Sequence, residues 1–232
     1  LATVSKRVAA NDLEGVKSNL GEAIKLAAFL NIPATFGLIF LRYPIVQVLY
    51  ERGRFLPAYT INTGDALLFY TLGLFSYSLV KIVTPTFYAL GDTKTPVKFA
   101  AIVIAVKIAV NLLLIRHLGF IGLALGTSIA SFLNAGLLLR ALNKRIGSLQ
   151  GHGIVNSLTR ITIAALVMGV AASFTHSWAS GAIGVSSLTT RITTLVVTIV
   201  VALSILFASS YMLKIPQARD FVNMFRRRFS KQ

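Results

Sequence analysis

Long apolar runs separated by short polar breaks set the pattern of this chain. They occupy residues 26–50, 66–90, 97–115, 118–139, 161–179 and 192–213. A bilayer core takes about 20 apolar residues of helix. The runs are continuous and do not alternate, which is not the in-and-out pattern of a β-barrel. They predict an all-α, polytopic membrane helix bundle with six transmembrane helices.

The polar breaks refine this outline. In residues 8–25, Asn11-Asp12-Leu13-Glu14 has the form of a helix start, and Leu13, Val16, Leu20 and Ile24 recur at helical spacing. An amphipathic helix on the membrane surface or a plain linker helix fits this stretch. The first run holds Asn31-Ile32-Pro33, where a kink is expected, and Tyr43-Pro44, where a second break would leave 45–50 as a short interfacial helix. The second run leads to Gly91-Asp92-Thr93-Lys94-Thr95-Pro96, a tight turn. Only Arg116-His117-Leu118-Gly119-Phe120 joins the third and fourth runs, so these form an antiparallel hairpin. Gly122, Ala124, Gly126 and Ala130 give the fourth helix a small-residue face for close packing. A polar linker with three glycines covers 143–157 and marks a seam before the last two helices.

Composition agrees with a membrane protein. Of 232 residues 55% are hydrophobic and 13% charged, against about a quarter charged in soluble domains. The net charge of +16 is unevenly placed. With the N-terminal segment cytoplasmic and the helices alternating, 16 of the 23 basic residues fall on the cytoplasmic side and 5 opposite, Lys81 and Lys107 being the other two. The positive-inside rule therefore puts both ends in the cytoplasm. Arg226, Arg227, Arg228 and Lys231 interleave with Phe221, Phe225 and Phe229, which predicts an amphipathic helix anchored to anionic lipid rather than nucleic-acid binding. The first residue is Leu, and 1–7 reads as the end of an upstream element.

The chemical inventory excludes more than it offers. There is no cysteine, and none of the seven acids lies in mid-span. His117, His152 and His176 sit at loops or helix ends without metal-ligand spacing. No cofactor, metal or catalytic residue is expected. Lys81 and Lys107 stand out, because an uncompensated charge in hydrocarbon normally faces a bundle interior or a watery cavity. The plainer reading of Lys81 is snorkelling to an interface. Asn111 lies one turn beyond Lys107, and the hairpin brings Thr127 to a similar depth. Their oxygens could accept from the Lys107 ammonium, so that the lysine acts as a tethered cation cross-bracing two helices; facing the cavity and touching substrate is the alternative. Arg42, Arg52 and Arg54 are candidate outer-side contacts, with anchoring or a solvated turn as the plain alternative.

Several segments together resemble one family. They are Leu30-Asn31-Ile32-Pro33-Ala34, Leu49-Tyr50-Glu51-Arg52-Gly53-Arg54-Phe55, and the stretch from Val80-Lys81-Ile82-Val83-Thr84-Pro85 through Gly91-Asp92-Thr93-Lys94-Thr95-Pro96-Val97-Lys98. Their order and spacing are similar to the MurJ/MviN lipid II flippases of the multidrug/oligosaccharidyl-lipid/polysaccharide exporter superfamily. The resemblance implies six of fourteen helices: 1–25 a cytoplasmic lead-in, 26–142 four helices of the C-terminal transport lobe, 143–157 a cytoplasmic linker, 158–213 a C-terminal helix pair, and 214–232 a basic cytoplasmic tail. It implies translocation of lipid II, the undecaprenyl-pyrophosphate-linked peptidoglycan precursor, across the bacterial cytoplasmic membrane by alternating access. The partners implied are lipid II, membrane lipids and the missing N-terminal helices of the same protein; without those helices the chain is not expected to transport. In this family the terminal pair contributes a groove for the prenyl tail, and in the superfamily some members place a monovalent cation in the C-terminal lobe. Another exporter of the superfamily, moving oligosaccharide-lipids or drugs, and a non-transporting scaffold or split subunit remain the competing readings.

Overall fold

The computed structural model describes residues 2–149, 153–185 and 187–218. His152 and the tail positions Phe221, Phe225, Phe229, Arg226, Arg227, Arg228 and Lys231 lie outside them. The described residues are helical throughout, with no strand: α1 (Ala2–Ala9), α2 (Leu13–Tyr50), α3 (Pro57–Leu72), α4 (Leu74–Ala89), α5 (Lys94–Leu118), α6 (Phe120–Ile146), α7 (Ile154–Ile183) and α8 (Leu188–Met212). Six spans among them are long and apolar enough to cross a membrane, α3 and α4 together making one. Each is longer than its apolar run, because the helices continue into polar flanks.

Local chemistry sets the ends. Asn11 takes a positive φ of 58°, and Asp12 Oδ1 accepts from the Gly15 N–H at 2.8 Å, capping α2 as the Asn-Asp pair predicts. The helix then runs for 38 residues through both Pro33 and Pro44. The expected break at Tyr43-Pro44 is absent. Pro44 has no N–H for the Phe40 carbonyl, and Arg42 Nη1 donates to the adjacent Ile39 carbonyl at 2.9 Å. Side chains that engage the backbone beside a proline let a membrane helix continue. The second span is the reverse case. The single expected run is divided at Gly73 into α3 and α4.

The chain forms two compact units, and α2 contributes to both. The first contains 1–31 and 69–155. Its core joins Val16, Leu20 and Ile24 of α2 with Leu79, Val83 and Phe87 of α4 and Ala135, Leu138, Leu142 and Ile146 of α6. The apolar stripe of the lead-in is thus packed against protein; only Leu13, 40% exposed, stays outside. Gly119, with φ of 58°, makes the α5–α6 hairpin turn. Gly122, Ala124, Gly126, Ser128 and Ala130 are buried on α6. A Cβ at Gly122 would stand 2.7 Å from the Leu114 carbonyl oxygen, which shows how closely the two backbones approach.

The second unit contains 32–68 and the chain from 156 onward. Gly169 of α7 meets α2 so closely that a Cβ there would stand 2.4 Å from the Phe40 ring. Ala164, Ala165, Ala172 and Ala179 are buried on α7, and Thr194, Thr198 and Ala202 on α8. Ser187 and Thr190 close a capping box at the start of α8. Arg160 near the start of α7 donates to the Leu213 carbonyl just past α8, at 3.3 Å, as antiparallel neighbours allow.

Candidate functional site

Lys81 projects from the middle of α4 and is exposed. Its ammonium lies 4.8 Å from the centre of the Tyr77 ring one turn earlier, within cation–π range. Among the described residues it has no acidic partner. Together with Asn19, Leu20, Ala23, Ile82, Pro85 and Thr86 it lines a cleft of about 290 Å³ within the first unit. The Asn19 amide nitrogen is buried and has no hydrogen-bond partner among the described residues. The sequence singled out Lys81 but not Asn19, which reads there as one polar residue among many in a lead-in.

Lys107 is half-buried on α5, a helix whose apolar surface is largely open, with Ile104, Ile108 and Leu112 exposed. Among the described residues it makes no hydrogen bond or ion pair. Asn111 Oδ1 is buried without a partner among the described residues, turned to Gly126, where the missing side chain leaves it room. Thr127 Oγ1 donates to the Leu123 carbonyl of its own helix at 2.8 Å. The hydrogen bonds of the expected brace are not formed. Spacing of four puts Lys107 and Asn111 on one face, but their polar ends do not meet.

Arg42, Arg52 and Arg54 belong to the second unit. Arg42 stacks on Tyr43, 4.2 Å from the ring centre. It donates to the Tyr43 hydroxyl at 3.0 Å, and that hydroxyl donates to Asp65 Oδ1 at 2.7 Å. The Arg42 Nε is 3.7 Å from the same carboxylate. Arg42 therefore ties α2 to α3, while Arg52 and Arg54 are exposed in the connecting turn. Beside them Glu51 accepts from Thr60 Oγ1 at 2.7 Å, Gln47 Nε2 at 3.2 Å and Arg191 Nη1 at 3.1 Å. The Thr60 hydroxyl foremost holds its carboxyl below the usual carboxylate range; burial, the next largest influence, opposes it, and Gln47 and Arg191 add to the lowering.

At the α4–α5 turn, Asp92 accepts from the Thr95 N–H at 3.0 Å and the Thr95 hydroxyl at 2.7 Å, and pairs with Arg145 at the end of α6. The Thr95 backbone N–H is the largest of the influences that lower its pKa. Among the described residues no three His, Cys, Asp or Glu side chains converge as metal ligands. The arrangement offers lone amines on apolar helices and paired charges at helix ends. Such amines can attract an anionic group.

Comparison with known proteins identifies the family. The family model for lipid II flippase MurJ matches residues 1–194. The chain is 36% identical over 215 residues to a probable lipid II flippase MurJ of Rickettsia prowazekii, covering 93% of this chain and 42% of that protein. It is 36% identical over 139 residues to the lipid II flippase MurJ of Thermosipho africanus, covering 60% of this chain and 29% of that protein. A solved lipid II flippase MurJ in an inward closed conformation superposes with a TM-score of 0.71 at 27% identity, covering 95% of this chain and 42% of that one. The chain thus spans less than half the length of these relatives.

Proposed function

The chain belongs to the lipid II flippase MurJ family, and from that premise we propose that it supplies six spans of a transporter moving lipid II from the inner to the outer leaflet by alternating access. The observation that carries this reading is the pair of amines, Lys81 and Lys107, on apolar helices of a family member without acidic partners among the described residues. A diphosphate headgroup cannot cross hydrocarbon unaided, and a cationic, hydrated path lowers its barrier. The work is binding and release, with no covalent step, so the protein acts as a transporter and not as an enzyme.

The other parts take roles in the same cycle. The remaining helices of the transporter complete the path. The α7–α8 pair offers the prenyl tail an apolar surface, on which Phe174 and Trp178 are each 74% exposed. Arg52 and Arg54, without a side-chain partner among the described residues, meet a departing headgroup on the outer side, whereas Arg42 is held by Tyr43 and Asp65. Both chain ends face the cytoplasm, and Arg226, Arg227, Arg228 and Lys231 anchor the tail to anionic lipid. The cell membrane concerned is the bacterial inner membrane.

The test is complementation. The full-length protein, expressed in a bacterium depleted of its own lipid II flippase, restores growth and the appearance of lipid II in the outer leaflet. Growth failure despite normal membrane insertion overturns the reading. Export of a different lipid-linked oligosaccharide, without lipid II, moves the protein to a neighbouring branch of the superfamily. Orientation is checked separately in the cysteine-free chain: a cysteine at position 94 should label only from the cytoplasm.

A further inference from the structure

We propose that the cleft between the first turns of α2 and the middle of α4 is a binding site for the phosphate group of a membrane lipid, with Lys81 as its cation and Asn19 as its amide donor. The site deepens the flippase reading by naming where a lipid phosphate is held.

Three features of the cleft converge. The first is charge. On the same stretch of α2, Lys17 is paired with Glu14 at 2.6 Å and Lys25 with Glu22 at 2.6 Å. Those amines are neutralised, and so are the carboxylates that would repel an anion. Among the described residues Lys81 has no ion-pair partner, and its ammonium lies over the Tyr77 ring. The second is the Asn19 Nδ2 group, which is buried and has no hydrogen-bond partner among the described residues. A buried donor without a protein partner is costly, and a phosphate oxygen in the cleft is an acceptor of the kind it lacks. The third is the mixture of walls. Leu20, Ala23, Ile82 and Pro85 are apolar, while Asn19, Lys81 and Thr86 are polar. A hydrated inorganic ion gains nothing from the apolar wall; a phosphate ester carrying a hydrocarbon stem uses both.

The two polar groups come from separate helices. Lys81 lies eight residues before the end of α4 at Ala89, about 12 Å along the axis, and Asn19 six residues after the start of α2 at Leu13, about 9 Å. The cleft volume of about 290 Å³ is several times the ~30 Å³ share of one water molecule.

Two lipids present this chemistry: a prenyl diphosphate, as in the substrate, and an anionic phospholipid. The experiment titrates the full-length protein in detergent with a short-chain prenyl diphosphate, with phosphatidylglycerol, and with zwitterionic phosphatidylcholine as control. Lys81→Gln should raise the Kd of the preferred anionic probe about tenfold or more, the weight of one charge-assisted hydrogen bond. Asn19→Leu should raise it several-fold, and Lys81→Arg should restore most of the affinity. The probe that responds identifies the source. On the wild-type protein the same probe should protect Lys81 from an amine-acylating reagent, a readout that needs no variant to fold. Unchanged affinity in well-folded Lys81→Gln, or undiminished acylation of Lys81 at saturating probe, overturns the site. Binding is read without transport: a protein that binds through Lys81 yet flips nothing leaves the site standing and sinks the flippase reading, and one that flips with indifferent Lys81 does the reverse.

Discussion

Arg191 at the start of α8 and Glu51 at the end of α2 form an ion pair 3.1 Å apart, 140 positions from each other in the chain. It fastens an end of the terminal helix pair to the end of the first span within one compact unit. Both side chains are mostly buried, 22% and 12% exposed, and Thr60 and Gln47 complete the carboxylate's partners. A double-mutant cycle with Glu51→Gln and Arg191→Gln should give a coupling of about 1 kcal/mol at neutral pH. The Thr60 hydrogen bond, with Gln47 and Arg191, depresses the folded-state pKa of Glu51 below its ordinary carboxylate value, so its contribution is present above the ordinary value and lost as the pH falls through the depressed one. The coupling should therefore shrink toward zero in acid. Equal coupling at neutral and acid pH would show that the charge is irrelevant.

The α5–α6 hairpin makes a finer distinction between two glycines. A Cβ on Gly126 would meet the Asn111 side-chain oxygen at 2.1 Å and nothing else closer than 3.3 Å. That oxygen ends a side chain that can rotate away. A Cβ on Gly122 would meet the Leu114 carbonyl oxygen and carbon at 2.7 and 2.8 Å, which are backbone and cannot. Gly122→Ala should lower thermal stability by about 1–3 kcal/mol, Gly126→Ala by clearly less, and Asn111→Ala should relieve the second but not the first. Thermal unfolding of the purified variants ranks them; the reverse order contradicts the packing.

The sequence reads most clearly where the signal is local. Continuous apolar runs disclose six spans, the Asn11-Asp12 pair discloses the start of α2, and the five-residue connector discloses the hairpin. What stays hidden depends on partners far away in sequence. Gly73 sits inside an unbroken apolar run, and its role depends on Ser128. Glu51 looks like part of a solvated turn until Arg191 is beside it. Asn19 acquires meaning only against Lys81. The Lys107 brace fails for a related reason: spacing decides which residues share a face, but Gly126 decides where the Asn111 amide turns.

Gly73 and Ser128 supply a direct test of the divided second span. Where α3 ends, Ser128 Oγ donates to the Phe69 carbonyl at 2.5 Å. A Cβ on Gly73 would stand 2.8 Å from that hydroxyl and 3.0 Å from the Ser128 Cα. Ser128→Ala should cost about 1 kcal/mol, the net worth of one hydrogen bond. Gly73→Val should cost more, because it pushes α6 away from the break. If Gly73→Val is as stable as the parent, the close approach at this point is wrong.

Lys107 separates a structural role from a functional one. It makes no hydrogen bond or ion pair among the described residues, and it is half-buried on an apolar helix. Replacing it with Met removes an uncompensated charge of similar length. Lys107→Met should therefore leave the melting temperature of the full-length protein unchanged or raise it, because a charge on a transmembrane helix is costly to hold. If the lysine serves the substrate path, the same variant should reduce lipid II flipping about tenfold or more, and Lys107→Arg should recover part of it. A fall in stability with flipping preserved would mean that the amine braces helices in another state of the transport cycle. No change in either quantity would assign Lys107 no role.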